Sequence, residues 1–293
     1  MSRSHSRWLA AFVVFVLALL AILDQSLKSI WVTRPVAEIG QMIEITGGDA
    51  APYYRLRAGA DTHYTRWRNP DAVTRVRINA LGMRGDEYNL ERRPGVQRIV
   101  AIGDSMTFGI AVEAEEALPA QLEKLLRQRG HDVEVWNAGT PGHQMEDYLG
   151  TLRRILPLAQ PDVVVLGLTG GDEVAPYPIS NTLLKAMSYS GLARAYFMLR
   201  LATGADPDRF VALYETFLDE AQAADAAVVV WSESDFGSRL DDEITRISAQ
   251  YAVVYLALHE KRLPQFDDDP HYTPEGNRLA AEQLLPAVRA AID

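Results

Sequence analysis

The chain has 293 residues, 48% of them apolar and 23% charged, and a formal net charge of −10. That length and balance suit one large domain with an appendage and a full core, and the acid excess leaves no surplus of Lys and Arg to neutralise phosphates, which excludes a general nucleic-acid binder. The absence of cysteine excludes disulfides, thiolate metal sites and cysteine nucleophiles, and is neutral about compartment.

Arg3 and Arg7 flank "WLAAFVVFVLALLAIL", residues 8–23, sixteen positions without a charge. A basic flank, an apolar run and Trp8 and Trp31 as interfacial anchors predict a short N-terminal transmembrane helix. A cleaved signal peptide is the rival reading, but Ala21-Ile22-Leu23 is a poor cleavage site; a buried helix of a soluble protein is the plain alternative. The positive-inside rule places Arg3 and Arg7 in the cytoplasm and the rest on the far side. The expectation is an uncleaved single-pass anchor with its juxtamembrane segment (1–32), carrying an extracytoplasmic, periplasmic-type domain.

Residues 33–95 read as a lead-in. Short alternations such as Val73, Val76 and Ile78, broken by Gly and Pro, predict a few strands packed near the main domain. From residue 96 to 293 the rhythm becomes strand, loop, helix. Solidly apolar strands are expected at 98–102, 133–136, 163–168, 227–231 and 252–256. Amphipathic helices are expected at 118–129, 145–156, 208–224 and 240–250, and a last one runs from Pro274, placed for N1 after Thr273, toward Ile292. Apolar strands separated by helices predict an α/β fold with a parallel sheet covered on both faces, whose ligands sit beyond the carboxyl ends of the strands. Residues 174–207 form a longer insertion, read as extra helix.

Four polar clusters fall at that predicted rim. Gly103-Asp104-Ser105 follows the first strand of the sheet; Asn137, Gly139 and Gly142 follow the second; Gly167, Thr169, Gly170, Gly171 and Asp172 follow the third; and "DDDPHYTPEG", with Asp268 three residues before His271, follows the fifth. Turn chemistry accounts for one such cluster but poorly for four in succession. A serine hydroxyl needs a base to become a nucleophile. His271 can be that base for Ser105, and Asp268 can hold its other ring nitrogen, since a separation of three puts both on one face of a turn. The backbone N–H groups of Gly142 and Ser105 are candidate donors to an oxyanion. Asp104 reads as a turn organiser and His143 as an exposed loop histidine.

These residues resemble the blocks of the SGNH/GDSL hydrolase family of esterases, lipases and carbohydrate O-acyl hydrolases. "GDSMTFG" looks like the first block, "NAGTPG" is similar to the second, and "DDPH" looks like the terminal D-x-x-H block, in order from residue 98 to the C-terminus. The resemblance implies a flavodoxin-like three-layer α/β/α sandwich, Ser105 as nucleophile, His271 and Asp268 as its partners, and Gly142 as an oxyanion donor. "INALGMRGDEY" with the apolar N-terminus also resembles a membrane-anchored bacterial subgroup. The third block, G-x-N-D, is not kept. Here Thr169-Gly170-Gly171-Asp172 places Gly171 where the family has Asn, which removes a side-chain donor typically worth on the order of 100- to 1000-fold in rate; a backbone N–H, Thr169 or Asn181 are the available substitutes.

The resemblance thus implies a serine esterase acting on an acylated carbohydrate or lipid through an acyl-enzyme, without metal or cofactor. The alternatives are O-acyl transfer to an exported polysaccharide, or a non-catalytic glycan-binding module that kept the triad and lost the Asn. "GGDE" at 170–173 spells a diguanylate cyclase signature, but it follows a predicted buried parallel strand instead of sitting in a hairpin. The α/β-hydrolase elbow G-x-S-x-G fails because Thr107 stands in place of its second glycine.

Overall fold

A computed structural model describes residues 3–30, 34–46, 52–66, 68–172, 190–193, 195–196, 199 and 204–293. After helix α1 (Arg3–Ile30), the lead-in runs through α2 (Arg34–Met42), β1 (Ile43–Ile45), β2 (Tyr54–Leu56), β3 (Asp61–Arg66) and β4 (Asn69–Arg77). The main domain follows as β5 (Gln97–Ile102), α3 (Ser105–Phe108), α4 (Leu118–Gln128), β6 (Val133–Asn137), α5 (Met145–Ala159), β7 (Val163–Leu168), α6 (Pro207–Ala223), β8 (Ala227–Ser232), α7 (Ser238–Gln250), β9 (Val254–Ala257), β10 (Gln265–Phe266), β11 (Asp269–Tyr272) and α8 (Pro274–Ile292).

Strands β5 to β9 form one parallel sheet in the order β6-β5-β7-β8-β9, the doubly-wound order of flavodoxin-like folds. Period-two alternation divides the side chains between two cores. Val100, Ile102, Val164, Leu166, Val228 and Val230 face α5, α6 and α7, while Ile99, Ala101, Val163, Val165, Val229 and Trp231 face α4 and α8. Both faces being covered explains why these strands read as unbroken apolar runs. The α/β sandwich agrees with the sequence expectation.

The membrane-spanning part of that expectation does not hold. Among the described residues no helix is long and apolar enough to cross a membrane. The uncharged run of sixteen residues extends only about 24 Å at the helical rise, against a hydrocarbon core of about 30 Å. Phe12, Phe15, Ile22 and Leu23 on α1 are exposed. Asp24, which closes the run, accepts hydrogen bonds from Ser190 Oγ at 2.7 Å and Leu192 N at 3.1 Å, tying this end of α1 to the protein itself. The single-pass anchor, and the extracytoplasmic placement that depended on it, are therefore corrected. The insertion expected at 174–207 lies largely outside the described residues, as does Asn181.

The lead-in is two antiparallel hairpins, β1 with β2 and β3 with β4. Strand β3 alternates between exposed and buried positions, as a sheet with one wet face does. Of its buried side chains, Tyr64 joins a third core of Met42, Tyr54, Leu56, Val76 and Ile78 with Phe108 and Ile110. Phe108 and Ile110 belong to the segment that carries Ser105, so this core seats the lead-in against the carboxyl rim of the main sheet.

Candidate active site

Strand β5 delivers the chain to Ser105, the first residue of α3. Asp104 is the N-cap of that helix, its carboxylate accepting from Met106 N at 2.8 Å, the arrangement that satisfies an otherwise orphaned N–H. The other end of α3 is held by Arg84, which donates to the carbonyls of Phe108 (2.8 Å), Gly109 and Val112. Burial pushes the Arg84 guanidinium down to about 10, which leaves it charged at neutral pH.

His271 Nε2 lies 2.8 Å from Ser105 Oγ, and its Nδ1 meets Oδ1 of Asp269 in a short contact. Asp269 also accepts from its partner's backbone, His271 N, at 3.3 Å, and its side chain is wholly buried. The structure brings Ser105 and His271 together. It does not bring Asp268 to the histidine. Asp268 Oδ1 instead receives Arg66 Nη1 at 3.1 Å. The physical reason is the backbone. The expectation of Asp268 assumed a turn, in which residues three apart share a face, but Asp269–Tyr272 is a strand paired with β10, in which residues two apart do. Asp269 and His271 therefore point together.

The loops around Ser105 are stitched to one another. Thr140 N donates to Gly103 O at 2.9 Å, and Asn137 Nδ2 to Phe108 O at 3.1 Å. Gly142 lies in the following turn with φ +78°, and a Cβ there would sit 2.8 Å from the hydroxyl of Tyr54, which donates to Pro141 O at 2.9 Å. Both facts require glycine at 142. His143 is buried, not exposed as its loop suggested, with its Nε2–H donated to Tyr54 O at 3.0 Å. Burial pushes its pKa down.

In the third cluster Gly171 has φ +104°, a conformation that L side chains rarely adopt, and its carbonyl accepts from Gln144 Nε2 at 3.2 Å. Thr169 Oγ1 donates to Asp104 Oδ2 at 2.9 Å, so its proton is committed there instead of facing a bound oxyanion. Asp172 accepts from Thr169 N at 2.7 Å and from Tyr148 OH at 2.8 Å. Beside the site, burial pushes the Glu233 carboxyl up. Among the described residues no group of three or more His, Asp or Glu side chains is placed to hold a metal ion.

The family model of GDSL-like lipases and acylhydrolases matches residues 101–283. The chain belongs to this family. The GDSL-like chain is 28% identical over 95 residues to an arylesterase of Vibrio mimicus, covering 31% of this chain and 48% of that protein. It is 29% identical over 83 residues to esterase TesA of Pseudomonas aeruginosa, covering 28% and 41%. It thus spans less than half the length of these curated relatives. A solved lipase/acylhydrolase from Enterococcus faecalis superposes with a TM-score of 0.49 at 20% identity, covering 66% of this chain and 96% of that one.

The match to the GDSL-like family starts at residue 101, so the lead-in lies upstream of it, and there sequence reasoning missed most. Tyr64 OH donates to Asp269 Oδ2 at 2.9 Å, and Tyr54, Arg66 and Arg84 each touch a loop of the site. The only sequence signal was the alternation in "DTHYTR", which marks Tyr64 as a buried face residue without naming what it faces.

Proposed function

We propose that this GDSL-like chain is a serine esterase in which Ser105 is the nucleophile, His271 the general base and acid, and Asp269 the carboxylate that orients His271. The observation that carries the reading is the unbroken chain of contacts from Ser105 Oγ through both ring nitrogens of His271 to Asp269. As Ser105 Oγ bonds to the ester carbonyl carbon, its proton passes to His271 Nε2, and the carbonyl electron pair moves onto oxygen. Collapse of that oxyanion breaks the bond to the leaving alkoxide, which takes the proton from His271 and departs as alcohol. Water then attacks the acyl group, gives its proton to His271, and the second collapse returns that proton to Ser105 with release of the acid. The backbone N–H groups of Ser105 and Gly142 are the oxyanion donors in this reading; Gly171 contributes no side chain. The expectation of an acylated glycan or lipid rested on an exported location and on the family resemblance, and with that location overturned we propose no more than a carboxylic ester as substrate class.

The test is labelling by a fluorophosphonate together with hydrolysis of a short aryl ester. Wild-type protein is expected to react with both. Ser105→Ala should lose labelling entirely and turnover on the order of 10^4-fold or more, at an unchanged melting temperature. Well-folded wild-type protein that neither labels nor hydrolyses overturns the reading in favour of a non-catalytic binding module.

A further inference from the structure

The carboxylate of Asp269 is wholly buried, and a buried charge is costly unless its oxygens are matched by donors. Oδ1 serves His271, through Nδ1 and the backbone N–H. Oδ2 receives the hydroxyl of Tyr64, itself fully buried, at 2.9 Å. Two residues along β3, past a register shift between Thr65 and Arg66, Arg66 takes the carboxylate of Asp268. One hairpin of the lead-in thus sorts two adjacent aspartates, drawing Asp268 away and holding Asp269 in line with His271. The family match begins at residue 101, so this hairpin is supplied from outside the matched segment.

We propose that Tyr64 is a positioning residue of the site, whose hydroxyl fixes the rotation of the Asp269 carboxylate and tempers its basicity toward His271. This rests on the roles given above to Asp269 and His271. A carboxylate bonded on one oxygen alone can turn about its Cβ–Cγ bond and exchange the oxygen it offers; bonds on both oxygens prevent that. A phenol O–H donated to the carboxylate also stabilises its charge. Removing the donor leaves a more basic carboxylate beside the ring, which favours imidazolium, so the pKa of His271 rises. Among the described residues, the other charged groups around this end of the site include Glu233, just after β8 and electrostatically felt by His271, Asp104 on the Ser105 hydroxyl, and the Asp268–Arg66 pair in the adjoining turn. Tyr64→Phe alters none of these.

The experiment is an NMR titration of His271 in the full chain with labelled histidine, assigned with His271→Gln, alongside the pH profile of aryl ester hydrolysis. Tyr64→Phe keeps the ring and its packing. The expected result is a His271 pKa raised by roughly half a unit to one unit, with the acid limb of kcat/KM displaced upward by the same amount and kcat lower by about 10-fold at unchanged KM. In an Asp269→Asn background the same Tyr64→Phe change should leave the His271 titration where Asp269→Asn alone puts it, since Tyr64 acts through that carboxylate. A lowered melting temperature with a superimposable titration means Tyr64 is packing only and overturns the proposal. So does a shift that persists without Asp269. If wild-type protein hydrolyses no ester, the functional reading fails, while the titration still decides the role of Tyr64.

Discussion

The main sheet and the lead-in hairpins build the site in different ways. Strand β7 is buried at every position and β5 nearly so, and their carboxyl ends present Ser105 and the Thr169–Asp172 turn on a rigid edge. Strand β3 keeps one face in solvent and places Tyr64 on Asp269 and Arg66 on Asp268. The sheet locates Ser105, whereas the hairpins decide which carboxylate His271 meets and how the neighbouring loops lie. The Ser105 segment is fixed by the sheet and by Arg84 together, while the short ribbon β10–β11 takes its partners from β3.

That division can be broken most sharply at the paired aspartates. Asp269→Asn should lower kcat by roughly 10^3- to 10^4-fold, as expected when the group that sets the histidine's tautomer is neutralised. Asp268→Asn, whose native partner is Arg66, should change it only a few-fold. Steady-state hydrolysis of an aryl ester at saturating substrate measures both, and the reverse ranking would return the role to Asp268.

A smaller effect is expected where the lead-in presses on the main domain. Gly142→Ala forces an L residue to φ +78° and sets its Cβ 2.8 Å from the Tyr54 hydroxyl, so the turn must shift. The expected outcome is kcat reduced by about 10- to 100-fold and a stability loss of about 1–3 kcal/mol, read by kinetics and denaturant melts. Loss of stability alone, with kcat intact, would separate this turn from the oxyanion.

The smallest effect concerns pH. Buried His143 has its pKa pushed below the ordinary 6.5 by desolvation, so the unfolded chain takes up a proton before the folded one does. Stability from this group is therefore present above about pH 6.5 and is lost as pH falls from there toward the folded value. Thermal melts between about pH 7.5 and about 5.5 should show a decline that His143→Phe flattens, at a cost of about 1 kcal/mol for the lost bond to Tyr54 O. An unchanged slope in that variant would assign the decline to other groups.

Much of the sheet was legible because burial on both faces writes itself into composition. The run at 163–168 matches β7 residue for residue, and the expected strand at 133–136 falls one residue short of Asn137. The polar residues that end those runs are joined by hydrogen bonds, Thr169 to Asp104 and Thr140 to Gly103 among them. Strand β11 was illegible, because three aspartates and a proline hide a four-residue ribbon that alternation alone cannot reveal. The apolar N-terminus misled in the opposite sense. Its composition was membrane-like, while its length between Arg7 and Asp24 was too short to span.

By itself, the order of apolar runs and polar breaks determined the parallel sheet, its covering helices, and Ser105 and His271 as residues at one rim. These follow from local periodicity and from the rule that parallel strands share an edge. Only the tertiary structure chose Asp269 over Asp268 and brought Tyr64 across 205 positions of sequence to hold it. The reason is that side-chain direction on a short strand, and the partner a buried charge finds, depend on chain segments remote in sequence and are written in no local pattern.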